Sequence, residues 1–174
     1  MGYILQIGVI VRDLDRATAK LMELFQINER PYINKVGRQF TGEVSRTVYK
    51  EDTASEASCM TCCFDFENIQ LEFIQPVGDA PSEWQRFLDE KGEGIHHLGF
   101  RIEDVGECRE KFASLGYEET QSGCWGEGEY HYFDTAEALG FVIENMKFYT
   151  STASHFSFAI SSRLWIFLSL ETIS

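Results

Sequence analysis

Four polar side chains, Gln6, Glu72, His97 and Glu144, stand in apolar, strand-like stretches of a 174-residue chain. Adding 91 to each number of Gln6-Ile7-Gly8-Val9-Ile10-Val11-Arg12-Asp13-Leu14 gives His97-Leu98-Gly99-Phe100-Arg101-Ile102-Glu103-Asp104-Val105. The register continues through Leu14, Ala17, Leu21 and Leu24, which answer to Val105, Cys108, Phe112 and Leu115. A second match, offset by 72, sets Leu71-Glu72-Phe73 against Ile143-Glu144-Asn145. Gln6 thus corresponds to His97, and Glu72 to Glu144. A carboxylate inside an apolar strand is costly unless it is paired or bound to a metal. Two carboxylates, an amide and an imidazole supply three oxygens and one nitrogen, and the carboxylates neutralise a divalent ion. Such an oxygen-rich set suits Mn, Mg, Co, Ni or Zn and leaves positions open for water or substrate. Each residue also has a plainer reading: strand glutamates usually face solvent, Gln6 can be a surface amide and His97 a satisfied core histidine. Their coincidence at repeat-equivalent places favours the cation.

The elements that must position these residues are also written twice. Ile4 to Val11 is an apolar, β-branched run, as a strand buried on both faces requires. Asp13 is an N-cap for the helical spacing that runs to Phe25, and Asp104 with Glu107 has the spacing of a capping box. Val44 to Tyr49, Cys59 to Phe66 and Ile69 to Gln75 are predicted strands, the last stopped by Pro76-Val77-Gly78-Asp79. Ser82 caps a short helix carrying Trp84, Phe87 and Leu88; Tyr130 to Asp134 and Gly140 to Met146 are further strands. The expected order is βαβββ, a bridging helix, then βαβββ again. This is an α+β fold of paired modules that form a curved mixed sheet around a metal-containing pocket. Module one covers about 3–78, the bridging helix about 81–91 and module two about 94–148, so that the domain is 1–148. Residues 149–174 form a C-terminal extension outside both repeats, of unknown role. Its apolar run, Leu164 to Leu168, is far shorter than the about 20 residues that span a bilayer. The copies can pair within one chain or across a homodimer.

Composition narrows the partners. A net charge of -13 disfavours nucleic acid, whose phosphates demand Lys and Arg. An anionic substrate would need local cations such as Arg12, Arg46 or Arg101. The expected partner is a small molecule, with no membrane involved. Five cysteines without a secretory leader fit a reducing compartment, and the cytoplasm is the expected location. Cys59-Met60-Thr61-Cys62-Cys63 imitates a zinc pair, yet alternation along a strand sends Cys59 and Cys62 to opposite faces. By the same alternation His96 should point away from His97, and His131 reads as a packing residue.

Ile7 to Leu14, Leu71 to Pro76, Gly94 to Phe100, Tyr132 to Thr135 and Leu139 to Glu144 together resemble the vicinal oxygen chelate superfamily. That superfamily includes glyoxalase I, methylmalonyl-CoA epimerase, the extradiol dioxygenases and the bleomycin-resistance proteins. The resemblance covers about residues 3–148 and implies a divalent metal ion held by Gln6, Glu72, His97 and Glu144. The His96-His97 pair and the Leu-Glu-Phe-Ile-Gln-Pro strand end are most similar to the epimerase, which commonly has His in place of Gln6. The Gln/Glu/His/Glu set is similar to some glyoxalase I enzymes. Extradiol dioxygenases use two histidines and a glutamate on iron, and Gln6 and Glu72 depart from that pattern. The implied activity is enolisation of a chelated carbonyl substrate, by an isomerase (epimerase) of acyl thioesters or a glyoxalase-like lyase. Glu144 is the implied base, with Glu43 and Glu129 as unplaced acid/base candidates. The rival expectation is a metal-free binding or resistance protein with a pocket lined by Trp125, Tyr130 and Tyr132.

Overall fold

The computed structural model describes residues 3–41, 47–51, 55–125 and 128–149. The apolar run of β1 (Ile4–Ile10) has a neighbour on each side: β5 (Gln70–Val77) runs parallel to it and β6 (Gly94–Arg101) antiparallel. This β1–β6 seam joins the repeats within one chain. In each copy the first strand feeds a helix, α1 (Leu14–Phe25) or α4 (Val105–Ser114). Asp13 and Asp104 cap these helices by accepting from the backbone N–H of Arg16 and Glu107. The apolar stripe of α1 packs against the outer face of the first half, where Val11, Leu14, Cys62, Phe64 and Phe73 form a buried cluster.

Module one continues with β2 (Ile33–Val36), the one-turn α2 (Arg38–Thr41), β3 (Val48–Tyr49), β4 (Ser58–Asp65) and β5. The bridging helix α3 (Glu83–Glu90) follows, capped by Ser82. Module two adds β6, α4, β7 (Glu119–Trp125), β8 (Gly128–Phe133), the one-turn α5 (Ala136–Leu139) and β9 (Val142–Phe148). The strands form one sheet in the order β2-β4-β5-β1-β6-β9-β8-β7-β3. The strands β2 and β3, close in sequence, therefore stand at opposite edges. A flat sheet of this size is about 38 Å wide at the usual strand spacing. With the four residues of α2 rising about 1.5 Å each, the connection from Val36 to Val48 spans at most roughly 34 Å even if the rest is fully extended. The sheet must curl, bringing its edges toward each other and making its inner face concave. Helix α3 closes one end of that concavity, with Trp84 and Leu88 packed among Ile10, Cys59, Ile74, Tyr132 and Val142.

Two strands, β2 and β7, depart from the sequence expectation. They occupy equivalent places after the first helix of each repeat, and their polar sequences, Ile-Asn-Lys-Val and Glu-Thr-Gln-Ser-Gly-Cys-Trp, hide them. The strand expected over Val44 to Tyr49 is seen at Val48–Tyr49, and 42–46 lie outside the described residues. Pro76 does not stop β5, which runs to Val77. Past Ile74 the pairing with β1 has ended, so proline sits where one side of the strand lacks a ladder. Gly140, in the left-handed region at φ 83°, ends α5 rather than opening β9. Among the described residues no helix is long and apolar enough to cross a membrane. The extension from 150 onward lies outside the described residues.

Candidate functional site

All four residues singled out by the repeat meet on the inner face at the β1–β6 seam. The register is pseudo-symmetric: Gly8 lies beside both Glu72 and His97, while Gly99 lies beside both Glu144 and Gln6. Each glycine leaves room for the side chains beside it. A Cβ on Gly8 would stand 1.9 Å from His97 Cε1; one on Gly99 would stand 2.8 Å from Glu144 Oε2 and 3.1 Å from Gln6 Cβ. Two bulges set the approach. Register passes from Ile4–Phe100 to Gln6–Gly99, with Leu5 as the extra residue, and from Gly8–His97 to Val9–Ile95, with His96 as the extra residue. Leu5 and His96 are themselves repeat-equivalent, so each bulge immediately precedes a residue of the site. Bulges re-aim side chains in this way at the cost of a ladder bond.

His97 Nε2 lies 3.3 Å from Gln6 Oε1, 3.3 Å from Glu144 Oε2 and 3.9 Å from Glu72 Oε2. Donors about 2.1 Å from a shared ion stand roughly 3.0–3.4 Å apart, so the spacings of His97 from Gln6 and from Glu144 fit and Glu72 must close on His97 by about half an ångström. Among the described residues no three His, Cys, Asp or Glu groups stand in finished cation-binding geometry. The set here includes an amide and keeps Glu72 slightly withdrawn. His97, Gln6 and Glu144 are buried, while the Glu72 side chain is 15% exposed and marks the open side.

The electrostatics seek a positive charge. Burial lifts the Glu72 carboxyl to about 7, despite hydrogen bonds from Thr61 and Cys63. Burial, and then the neighbouring Glu72, raise Glu144 well above the carboxylate range. Burial, and then His96, hold His97 well below its ordinary value, leaving a neutral imidazole able to offer a lone pair. Glu144 Oε2 is buried with no hydrogen-bond partner. Two desolvated carboxyls (one with an orphaned oxygen), a neutral imidazole and the Gln6 amide oxygen are a donor set that a divalent cation fits.

Behind these side chains stand others that the linear sequence did not advertise. Gln6 Nε2 donates to Gln70 Oε1 at 2.6 Å and Gln70 Nε2 donates to Asp65 Oδ1 at 2.7 Å, which leaves Gln6 Oε1 turned to His97. Gln70 lies two places before Glu72, and period-two alternation could have found it. The expectation that His96 points away from His97 is overturned: the bulge brings the rings together, with Nδ1 to Nδ1 at 2.9 Å and both rings against Tyr132. His96 Nε2 faces Glu83 Oε1 at 3.7 Å. Glu83 is buried at the start of α3, bonded to Arg86; burial raises its carboxyl, but His96 and Arg86 outweigh that and it sits near 2. His96 is itself kept neutral by burial against the pull of Glu83, so Arg86 carries the balancing charge.

Other candidates fall elsewhere. Glu129 lies 3.8 Å from His131 Nε2, in a network where His131 also meets Glu119 and Arg109. That network is removed from the four converging side chains, and Glu43 lies outside the described residues. Tyr130 and Tyr132 do form an aromatic wall, with Trp84, whereas Trp125 packs on Phe148 instead. Cys59 and Cys62 belong to separate buried clusters, as alternation predicts. Arg101 stands over Phe148, Arg12 bonds Leu88 O, and Arg46 lies outside the described residues. A groove lined by Arg38, Glu56 and Asp79 is remote from all of this chemistry.

No curated protein matches the chain. Among solved structures it is similar to methylmalonyl-CoA epimerase from Mycobacterium tuberculosis, at 16% identity and TM-score 0.57 over 87% of this chain and 91% of that one. A hypothetical protein from Bacillus halodurans C-125 is similar at 13% identity and TM-score 0.52, over 84% and 94% of the two chains. Streptomyces coelicolor methylmalonyl-CoA epimerase follows at 18% identity and TM-score 0.48, over 86% and 99%. The first two likenesses establish a shared fold. The family profile described as Glyoxalase/Bleomycin resistance protein/Dioxygenase superfamily matches residues 5–133, which include Gln6, Glu72 and His97. By that match, and by the fold that accompanies it, the chain belongs to the glyoxalase/bleomycin resistance protein/dioxygenase superfamily.

Proposed function

We propose that the chain is an enzyme that enolises a carbonyl substrate with the help of a divalent cation held by Gln6, Glu72, His97 and Glu144. The observation that carries this reading is their convergence on one buried seam, with Glu144 Oε2 lacking any hydrogen bond. When bound, the cation supplies Lewis acidity to the carbonyl oxygen. Glu144 takes the proton from the neighbouring carbon, as a general base buried beside the reacting centre. Gln70 and Asp65 hold the Gln6 amide oxygen inward. Tyr132 and His96 wall off the far side and exclude water, while the partly exposed Glu72 lies where substrate enters. The substrate is an acyl thioester, as the name of the Mycobacterium tuberculosis structure favours, or a glyoxalase-type adduct, as the Gln/Glu/His/Glu set favours.

Elemental analysis of protein purified without chelator tests the reading. Wild type should carry close to one divalent ion per chain, and His97→Ala and Glu144→Ala should lose it. Wild type that takes up no Mn, Co, Ni, Zn or Mg would sink the enzyme reading. It would point to a metal-free binder that uses the aromatic wall of Trp84, Tyr130 and Tyr132.

A further inference from the structure

The concavity has two unlike ends. At one, α3 seals Ile10 and its strand neighbour Ile74 into the core with Trp84 and Leu88. The repeat offsets place Arg101 and Met146 at the corresponding positions of the second copy, again side by side on neighbouring strands. That pair lies at the opposite end, two residues past the seam glycine Gly99. An apolar side chain suffices where Ile10 stands, so the sheet itself does not call for a cation there.

Arg101 faces the site. A Cβ on Gly99 would meet Glu144, Met146 and Gln6, which sets position 99 on the inner face, and alternation sets 101 on the same face. The guanidinium stands 5.8 Å from the ring centroid of Phe148, which packs edge-on against Trp125. Stacking of this kind holds the charge in place and leaves the N–H edges of the fork available to a ligand. The carboxylate paired with Arg101 is Glu103, 3.5 Å away with its side chain 89% exposed, and such surface pairs are weak.

We propose that the concavity takes a substrate with an anionic arm, and that Arg101 is the specificity-determining residue that binds the carboxylate or phosphate at the arm's far end; this rests on the site reading above. Packing sets the direction. Tyr132, Trp84 and Ile74 fill the α3 end, so whatever a cation holds at the seam extends the other way, over Met146 toward Phe148. Charge sets the tip. The chain carries a net charge of -13, and Asp65, Glu72 and Glu144 all stand on the inner face. An anion there needs a local cation, and a guanidinium fork matches a carboxylate or a phosphate through two parallel N–H bonds. Length sets the size. Two strand residues span about 7 Å, and the Arg101 side chain adds to that, so a bare dicarbonyl is too short to touch both the seam and Arg101. The substrate is a carbonyl group on a long, acid-bearing carrier.

The test compares hydroxamates, which chelate a metal through two oxygens, on the Co(II)-loaded protein by visible absorption. Acetohydroxamate has no arm. The others share one straight alkyl chain, long enough to reach Arg101, that ends in a carboxylate, a phosphonate or a neutral methyl ester. In wild type a charged tip should bind at least about tenfold tighter than the ester, and Arg101→Met should erase that gain. The tip that gains more identifies the carrier's acid as a carboxylate or a phosphate. Acetohydroxamate should bind wild type and Arg101→Met alike. Equal binding of charged and ester tips in wild type overturns the proposal. So does a loss in Arg101→Met shared by every probe, which would mean that Arg101 only braces Phe148. A second measurement does without the metal. In metal-free 15N-labelled protein, octanoate should shift the Arg101 Nε–H resonance saturably, and octanamide should not. A protein that takes up no Co(II) would defeat the site reading, whereas an Arg101 resonance unmoved by octanoate would defeat this proposal in either case.

Discussion

At the scale of single residues, the two seam glycines are as much a part of the site as the side chains they face. Gly8→Ala puts a methyl group inside the His97 ring, a rigid obstacle, and should destabilise the protein by about 1–3 kcal/mol. It should also abolish cation capture. Gly99→Ala meets chiefly the carboxylate tip of Glu144 and the sulfur of Met146, which can shift, so denaturation should show the smaller loss. A comparable loss in both variants would contradict that ranking. The raised Glu72 carboxyl makes a pH prediction. Its proton is held more tightly in the fold than in the unfolded chain, so its stabilising contribution is whole below about 4.5 and disappears as pH rises toward about 7. With chelator present, wild type should lose up to about 3 kcal/mol across that window, and Glu72→Gln should lose less. A flat denaturation profile would refute it. These residues were legible because repeat offsets put like beside like. His96 was not, because a bulge adds a residue to one strand without changing its composition, and alternation then points the ring the wrong way.

At the scale of elements, the helices are where local chemistry decides most. Asp13→Ala and Asp104→Ala each remove a side-chain acceptor from an N-terminus and should cost about 1 kcal/mol by chemical denaturation, with cation affinity unchanged. A change in affinity would mean that the caps steer the site. Helix α4 is tied to β7 and β8 through Arg109, Glu119 and His131. Burial raises the Glu119 carboxyl, but His131 and Arg109 prevail and hold it near 2. Its contribution is therefore present above about 4.5 and is lost as pH falls toward 2, by about 1–2 kcal/mol. Glu119→Gln should flatten that acid limb in a thermal melt, and an unaltered limb would count against the network. The caps, both major helices and the apolar strands could be read in advance. The strands β2 and β7 could not: β2 is an edge strand whose exposed Asn34 and Lys35 blur the period of two, and β7, flanked by β8 and β3, buries Thr120, Gln121 and Ser122 in succession, so no alternation shows.

For the whole molecule, the seam between β1 and β6 settles what the sequence left open, since the repeats pair inside one chain. What the repeat could not announce is that β3, from the first copy, crosses to the far edge and pairs with β7 of the second, Val48 with Ser122 and Tyr49 with Gln121. This exchange has a consequence in time. A growing chain that has released only its first eighty or so residues has β1 without its antiparallel neighbour and β3 without any strand to join. The N-terminal half can pair β2, β4, β5 and β1 within itself, but it keeps an open β1 edge until β6 emerges and an unjoined β3 until β7 follows. Such long-range closure is slow.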